Sequence, residues 1–192
     1  MASEMLIDQI VARIHDGFAT GGHLDYGENI SMREHMLQAA YLAAQNGEDN
    51  NVIVAALLHD FGHLICNMPN DTFEEGLDND HEALGAMALE PWFGAAIAAP
   101  VRLHVDAKRY LCAAEPDYKY RLSDASITTL AIQGGQMTPG EMHAFRKKKG
   151  HRTAIRIRRY DDLGKNPQLR CPGLDHYTTM LAECLSRARS PI

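Results

Sequence analysis

The chain is poor in the features that mark several protein classes. It has one tryptophan and four cysteines in 192 residues. Cys66, Cys112, Cys171 and Cys184 are far apart and form no Cys-x-x-Cys pair. That spacing points to reduced thiols in a cytoplasmic protein. No apolar run approaches the roughly 18 residues that cross a bilayer. The start, Met1-Ala2-Ser3-Glu4, lacks the basic segment and long apolar stretch of a secretion signal, so no membrane role is expected. There is no excess of positive charge either. Nineteen Lys and Arg against 25 Asp and Glu give a net charge of −6, which argues against nucleic acid as a partner. The basic run Arg146-Lys147-Lys148-Lys149 with His151 and Arg152 reads as a solvated helix end. Repeats, low-complexity tracts and linkers are also missing, so residues 1–192 are expected to form one domain.

What is abundant is histidine, ten in all and scattered singly. Histidine is the commonest metal ligand and titrates near neutral pH. His15, His143, His151 and His176 read as surface or packing residues. The remaining pattern has to be placed on secondary structure.

The periodicity is helical nearly throughout. Met5, Ile7, Ile10, Val11 and Ile14 give one face of a helix over residues 4–18, broken at Gly21-Gly22. Ser31 and Glu34 form a capping box, which predicts a helix from there to about Asn46. Asp49 or Asn50 caps a helix that includes Val52 to Leu64. Its apolar centre, Val52 to Leu58, marks it as the buried middle of the molecule. Asp78-Asn79-Asp80 offers caps for a helix from His81 to about Glu90, ended by Pro91. A further helix is expected over Ala95 to Tyr110, kinked or shifted by Pro100. Thr138-Pro139-Gly140-Glu141 starts another, ended by Gly150. Segments 152–162 and 175–189 complete the set. These elements predict an all-α fold, a compact bundle.

His59-Asp60 lies in the C-terminal part of the apolar central helix. An isolated His-Asp pair usually reads as a salt bridge or a capped helix end. Burying both groups is costly without a partner, and a metal ion is a good one. His63 lies one turn after His59. His35 is one helix earlier, His81 opens the next helix, His104 sits on the one after, and Asp161 ends a later one. Single ligands on successive helices are how metal sites in bundles are assembled. The set His35 … His59-Asp60 … His81 … His104 … Asp161 resembles the HD-domain superfamily. That resemblance implies His35, His59 and Asp161 on one metal, His81 and His104 on the other, and Asp60 between them. Ligation by N and O without sulfur suits Fe, Mn, Zn or Co.

A closer resemblance covers almost the whole chain. Leu24-Asp25-Tyr26-Gly27-Glu28, Glu34-His35 and Ala55-Ala56-Leu57-Leu58-His59-Asp60-Phe61-Gly62-His63 look like the HD-domain diiron oxygenases of phosphonate catabolism. So do Ala107-Lys108-Arg109-Tyr110-Leu111, Leu122-Ser123-Asp124-Ala125-Ser126, Gln133-Gly134-Gly135 and Ile157-Arg158 … Asp161. The family implies two iron ions, Fe(II)/Fe(III), and dioxygen as co-substrate. It also implies cleavage of the carbon–phosphorus bond of a small organophosphonate. One branch takes 2-amino-1-hydroxyethylphosphonate and gives glycine and phosphate. A sister branch takes the trimethylammonio compound and gives glycine betaine and phosphate.

By position in the family, His63, Lys108, Ser126, Gln133 and Arg158 hold the phosphonate, and cations with neutral donors suit a dianion. Glu28 matches the carboxylate facing the substrate nitrogen. Either Tyr26 or Asp25 takes the place of a tyrosine that gates entry, because the segment is one residue shorter here. Tyr26, Glu28, His63 and Lys108 are thus the residues expected nearest the chemistry. Carboxylates and an aromatic ring in one loop suit a quaternary ammonium, which favours the trimethylammonio substrate. A metal-dependent HD phosphohydrolase would use the same ligands with a hydroxide nucleophile. A non-catalytic HD module would have lost ligands that this chain retains.

Overall fold

The computed structural model describes residues 2–26, 28–66 and 80–189. Its helices are α1 (Ala2–Thr20), α2 (Met32–Gln45), α3 (Asn50–Leu57), α4 (Phe61–Cys66), α5 (His81–Phe93) and α6 (Ala95–Arg102). They continue with α7 (His104–Ala114), α8 (Asp124–Ile132), α9 (Pro139–Lys147), α10 (His151–Leu163) and α11 (Thr178–Arg189). The single β pairing among the described residues is a bridge between Asp25 and Ser31. The fold is all-α, as the periodicity predicts. Among the described residues no helix is long and apolar enough to cross a membrane. Cys112, Cys171 and Cys184 are free thiols.

The caps form where the sequence places them. Ser31 Oγ accepts from the Glu34 amide, and the Glu34 carboxylate accepts from the Ser31 amide at 2.8 Å. Thr138 and Glu141 repeat the arrangement at α9. Asp49 accepts from the amides of Asn51 and Val52 at the start of α3. Val52 to Leu57 are all buried, and α3 packs against α2, α6, α10 and α11. Each such Val, Ile or Leu contributes about 1.5–3 kcal/mol by leaving water. A smaller cluster of Leu111, Cys112, Tyr118, Leu122 and Leu130 seats α8.

Four expectations need correction. The run from Val52 to Leu64 is two helices, with Leu58-His59-Asp60 as a turn between them. Ala95 to Tyr110 is likewise two helices, divided at Leu103 rather than at Pro100. The physical device is the same at both breaks. His59 Nδ1 bonds the Ala56 carbonyl at 2.8 Å, and His104 Nδ1 bonds the Val101 carbonyl at 2.7 Å. Each imidazole supplies the donor that the fourth backbone amide supplies in an unbroken helix. Third, Pro91 lies inside α5, which runs to Phe93 and stops at Gly94 with φ 67°. Fourth, α9 ends at Lys147, and Gly150, with φ 89°, begins α10 instead of ending α9. Asp80 precedes α5 without a side-chain cap, and Asp78 and Asn79 lie outside the described residues. Helix α8 was not expected; Ser123 caps it by accepting from the Ser126 amide.

One close approach decides where the next helix sits. A Cβ on Gly62 of α4 would stand 2.0 Å from the carbonyl oxygen of His81, at the start of α5. Only a glycine lets the two helices meet there, and the contact brings His81 up to Asp60.

Candidate active site

The two broken helices aim their histidines inward. His59 and Asp60 lie in the α3–α4 turn, His104 opens α7, His81 opens α5, His35 lies on α2 and Asp161 on α10. All six are buried. His35 Nε2 and His59 Nε2 are 3.0 Å apart, and His81 Nε2 and His104 Nε2 are 3.3 Å apart. The opposite ring nitrogens are already committed. His35 Nδ1 faces the Gly164 carbonyl at 2.9 Å, His59 and His104 bond carbonyls as above, and His81 Nδ1 lies 3.5 Å from Glu82. Where Nδ1 donates to a carbonyl, as in His35, His59 and His104, Nε2 faces the centre of the cluster, where a cation can take the place of a proton. Outer partners of this kind are typical of metal-bound imidazoles.

Asp60 serves both pairs. Its Oδ2 is 3.5 Å from His35 Nε2 and 3.3 Å from His59 Nε2. Its Oδ1 is 3.3 Å from His81 Nε2 and 3.4 Å from His104 Nε2. Two candidate metal triads result, His35/His59/Asp60 and Asp60/His81/His104, sharing one carboxylate. Asp161 completes the first side, with Oδ1 3.5 Å from His35 Nε2 and Oδ2 3.9 Å from His59 Nε2. Two metal ions fit this donor set of nitrogen and oxygen. The cluster is strongly coupled electrostatically. Burial opposes charge on His59, yet Asp60 and Asp161 outweigh it and raise its pKa to about 9. Burial, helped by the neighbouring His81, lowers the pKa of His63 to about 3 and keeps it neutral.

Beside the cluster opens a cavity of about 620 Å³, a size suited to a small molecule. Asp25, Tyr26, His63, Lys108, Ser126, Gln133 and Arg158 line it together with Asp60, His81, His104 and Asp161. Tyr26 stacks on the His35 ring at 3.8 Å, and its hydroxyl lies 3.4 Å from Asp161 Oδ1. Tyr26, rather than Asp25, therefore stands against the ligand cluster. His63 stacks on His81 with ring centroids 4.2 Å apart. Lys108 Nζ donates to Thr129 Oγ1 at 2.7 Å, and burial, helped by nearby Arg158, lowers its pKa to about 7.

Arg158 is more heavily committed than its sequence position suggests. It donates to Asp161 Oδ2 at 2.6 Å, to Asp162, to Tyr118 Oη at 3.3 Å and to Ser126 Oγ at 3.3 Å. Gln133 Oε1 is buried and accepts no hydrogen bond among the described residues, and a half-turn of the amide presents its NH₂ there instead. Glu28 is not among the lining residues; its Oε1 lies 3.7 Å from Lys165 Nζ. Lys165 and Thr129 do line the cavity, and the sequence analysis missed both. The available signal was the spacing Ser126, Thr129, Gln133, which puts three polar groups on one helical face.

A chain with six converging metal-type ligands around one shared aspartate invites comparison with known proteins. The HD domain profile matches residues 32–132. The chain belongs to the HD-domain family. The HD match includes His35, His59, Asp60, His81 and His104, and Asp161 lies beyond it. Two relatives of the chain are named as dioxygenases. The chain is 40% identical, over 93% of its length and 91% of theirs, to the "[1-hydroxy-2-(trimethylamino)ethyl]phosphonate dioxygenase (glycine-betaine-forming)" of Leisingera caerulea. It is 41% identical to the "Hydroxymethylphosphonate dioxygenase" of Gimesia maris, over 87% of this chain and 84% of that one. These matches place this HD-domain protein among the phosphonate dioxygenases and make it an oxidoreductase.

Proposed function

We propose that this HD-domain protein cleaves the carbon–phosphorus bond of a 1-hydroxyphosphonate with dioxygen, and that its substrate is the trimethylammonio compound. The observation that carries the reading is the junction of two triads sharing Asp60 with a cavity walled by lysines. The overall change balances without a reductant. R–CH(OH)–PO₃²⁻ plus O₂ gives R–COO⁻, HPO₄²⁻ and one proton. His35, His59 and Asp161 would hold one iron, His81 and His104 the other, with Asp60 between. Such a pair would supply dioxygen activation and Lewis-acid chemistry.

The chain's own residues supply the rest. Lys108, Ser126, Gln133 and Arg158 bind the phosphonate through charge-assisted and neutral hydrogen bonds. The phosphonate holds the Lys108 proton on Nζ, since a dianion raises a pKa that burial has lowered. His63, buried and neutral, offers a ring nitrogen without adding charge. Tyr26, stacked on His35 and lining the cavity, excludes water from that side and offers its ring to a cationic head group. The glycine-betaine-forming relative supports a quaternary ammonium on the substrate.

A second reading, hydroxymethylphosphonate as substrate, is favoured by Glu28 standing off the cavity wall and by the other relative. One experiment separates them. Iron-loaded protein is given the trimethylammonio, free-amine and hydroxymethyl substrates, with and without oxygen gas. Phosphate and organic acid are then assayed. The expected result is oxygen-dependent phosphate release, fastest with the trimethylammonio compound, and label from oxygen gas in the carboxylate. Equal turnover without oxygen would reject the dioxygenase reading in favour of hydrolysis.

A further inference from the structure

A dianionic substrate needs positive charge, and the cavity has less than a count of its basic residues suggests. Three Lys and Arg side chains line it: Lys108, Arg158 and Lys165. The Arg158 guanidinium is bound by the carboxylates of both Asp161 and Asp162, so little of its charge is uncommitted. Lys108 terminates on a neutral hydroxyl, Thr129 Oγ1. Lys165 does the same from the other side. Its Nζ donates to Ser126 Oγ at 2.8 Å and lies 3.4 Å from Ser123 Oγ. The ammonium is buried, with the side chain only 7% exposed. A buried ammonium requires an anion. Two carboxylates act on it: Glu28, at 3.7 Å, whose Oε1 accepts no hydrogen bond among the described residues, and Asp161, which is already bound by Arg158, so the attraction is coulombic and incomplete. Lys165 also lies over the Tyr26 ring, 5.4 Å from its centroid, at one edge of the metal-ligand cluster.

Ser126 and Thr129 on α8 and Gln133 at its C-cap stand at i, i+3 and i+7, a polar stripe along one wall. Lys108 and Lys165 reach that stripe from two different elements, at Thr129 and Ser126. Two ammoniums and three neutral polar groups on one wall match three phosphonate oxygens. We infer that Lys165 is a substrate-binding residue for the phosphonate, and that Glu28 is its counter-ion and positioning residue rather than the group that reads the substrate nitrogen. The inference rests on the phosphonate reading above. It separates the two ends of the substrate differently. Glu28 acts through Lys165 on the phosphonate that all candidate substrates share, while Asp25 and Tyr26 in the cavity wall are left to face the nitrogen end.

The test measures binding to iron-loaded protein under anaerobic conditions, by titration calorimetry. The probes are hydroxymethylphosphonate, which has no nitrogen, and the trimethylammonio hydroxyphosphonate. Lys165→Met is expected to weaken both probes by about 10- to 100-fold, the loss of one charge-assisted contact. Lys165→Arg should recover most of it. Glu28→Gln should change the dissociation constants of both probes by the same factor, leaving their ratio unaltered. Iron content and helicity are measured in every variant, because the neighbouring Gly164 carbonyl orients His35. If Lys165→Met and Lys165→Arg both lose iron, Lys165 supports the metal cluster and the inference fails. Unchanged affinity in an iron-replete Lys165→Met variant overturns it, as does a Glu28→Gln variant weakened only toward the cationic probe. Failure of the unaltered protein to bind either phosphonate is a different outcome, and it removes the functional reading together with the inference.

Discussion

Gly62→Ala is expected to cost this protein one of its two metals while leaving it helical. The methyl group would sit 2.0 Å from the His81 carbonyl oxygen, whereas real Cβ contacts stay above 3.0 Å. Either α4 or α5 must therefore retreat by about 1 Å, since packed helices have no void to take up the methyl. Metal–ligand distances tolerate only about 0.2 Å. The displacement is several times that tolerance. It falls on the Asp60/His81/His104 triad, because Gly62 follows Asp60 by two residues and abuts His81. The His35/His59 pair lies on the other side of Asp60 and is less affected. Overpacking of this kind costs about 1–3 kcal/mol, and each kcal/mol lowers Tm by roughly 2–4 °C in a chain of this size. The assay combines metal analysis, far-ultraviolet circular dichroism, thermal unfolding and oxygen-dependent phosphate release. The expected outcome is native helicity, a Tm lower by several degrees, about one metal per chain and little activity. A Gly62→Ala protein that keeps two metals and full activity would refute the link between the helix contact and the second triad.

Asp60→Ala removes the carboxylate shared by both histidine pairs; metal analysis should find the dinuclear centre lost and circular dichroism the helices kept. Chelation should abolish oxygen-dependent phosphate release, and iron but not zinc should restore it, which back-titration of the apo-protein checks. Lys108 provides a pH signature. Burial sets its pKa at about 7, so the free site holds this charge below that pH and loses it above. Binding of a fully ionised phosphonate must then take up a proton, and affinity should fall as pH rises past about 7. Calorimetry in two buffers of different ionisation heat measures the uptake; Lys108→Arg, charged throughout, should flatten the profile.

The sequence by itself determined the helical class, most helix starts and which histidines and aspartates are candidates to hold a metal. Those are local properties. A capping box such as Ser31 with Glu34 satisfies amides within one turn, and the apolar run from Val52 to Leu58 requires burial whatever surrounds it. The same run concealed the break at Leu58-His59-Asp60, because hydrophobicity continues on both sides of the turn. The break at Leu103 was hidden for a related reason: Pro100 drew attention to the wrong residue. In both places a histidine side chain replaces a backbone donor, a choice that depends on where the ring must point in three dimensions. Only the tertiary structure decided which oxygen of Asp60 faces which histidine pair, and that Tyr26 rather than Asp25 stacks on His35. It also decided that Arg158 is bound by two carboxylates and that Lys165 and Glu28 meet behind Ser126. Charges far apart in sequence interact through distance and burial, and neither is written in their spacing along the chain.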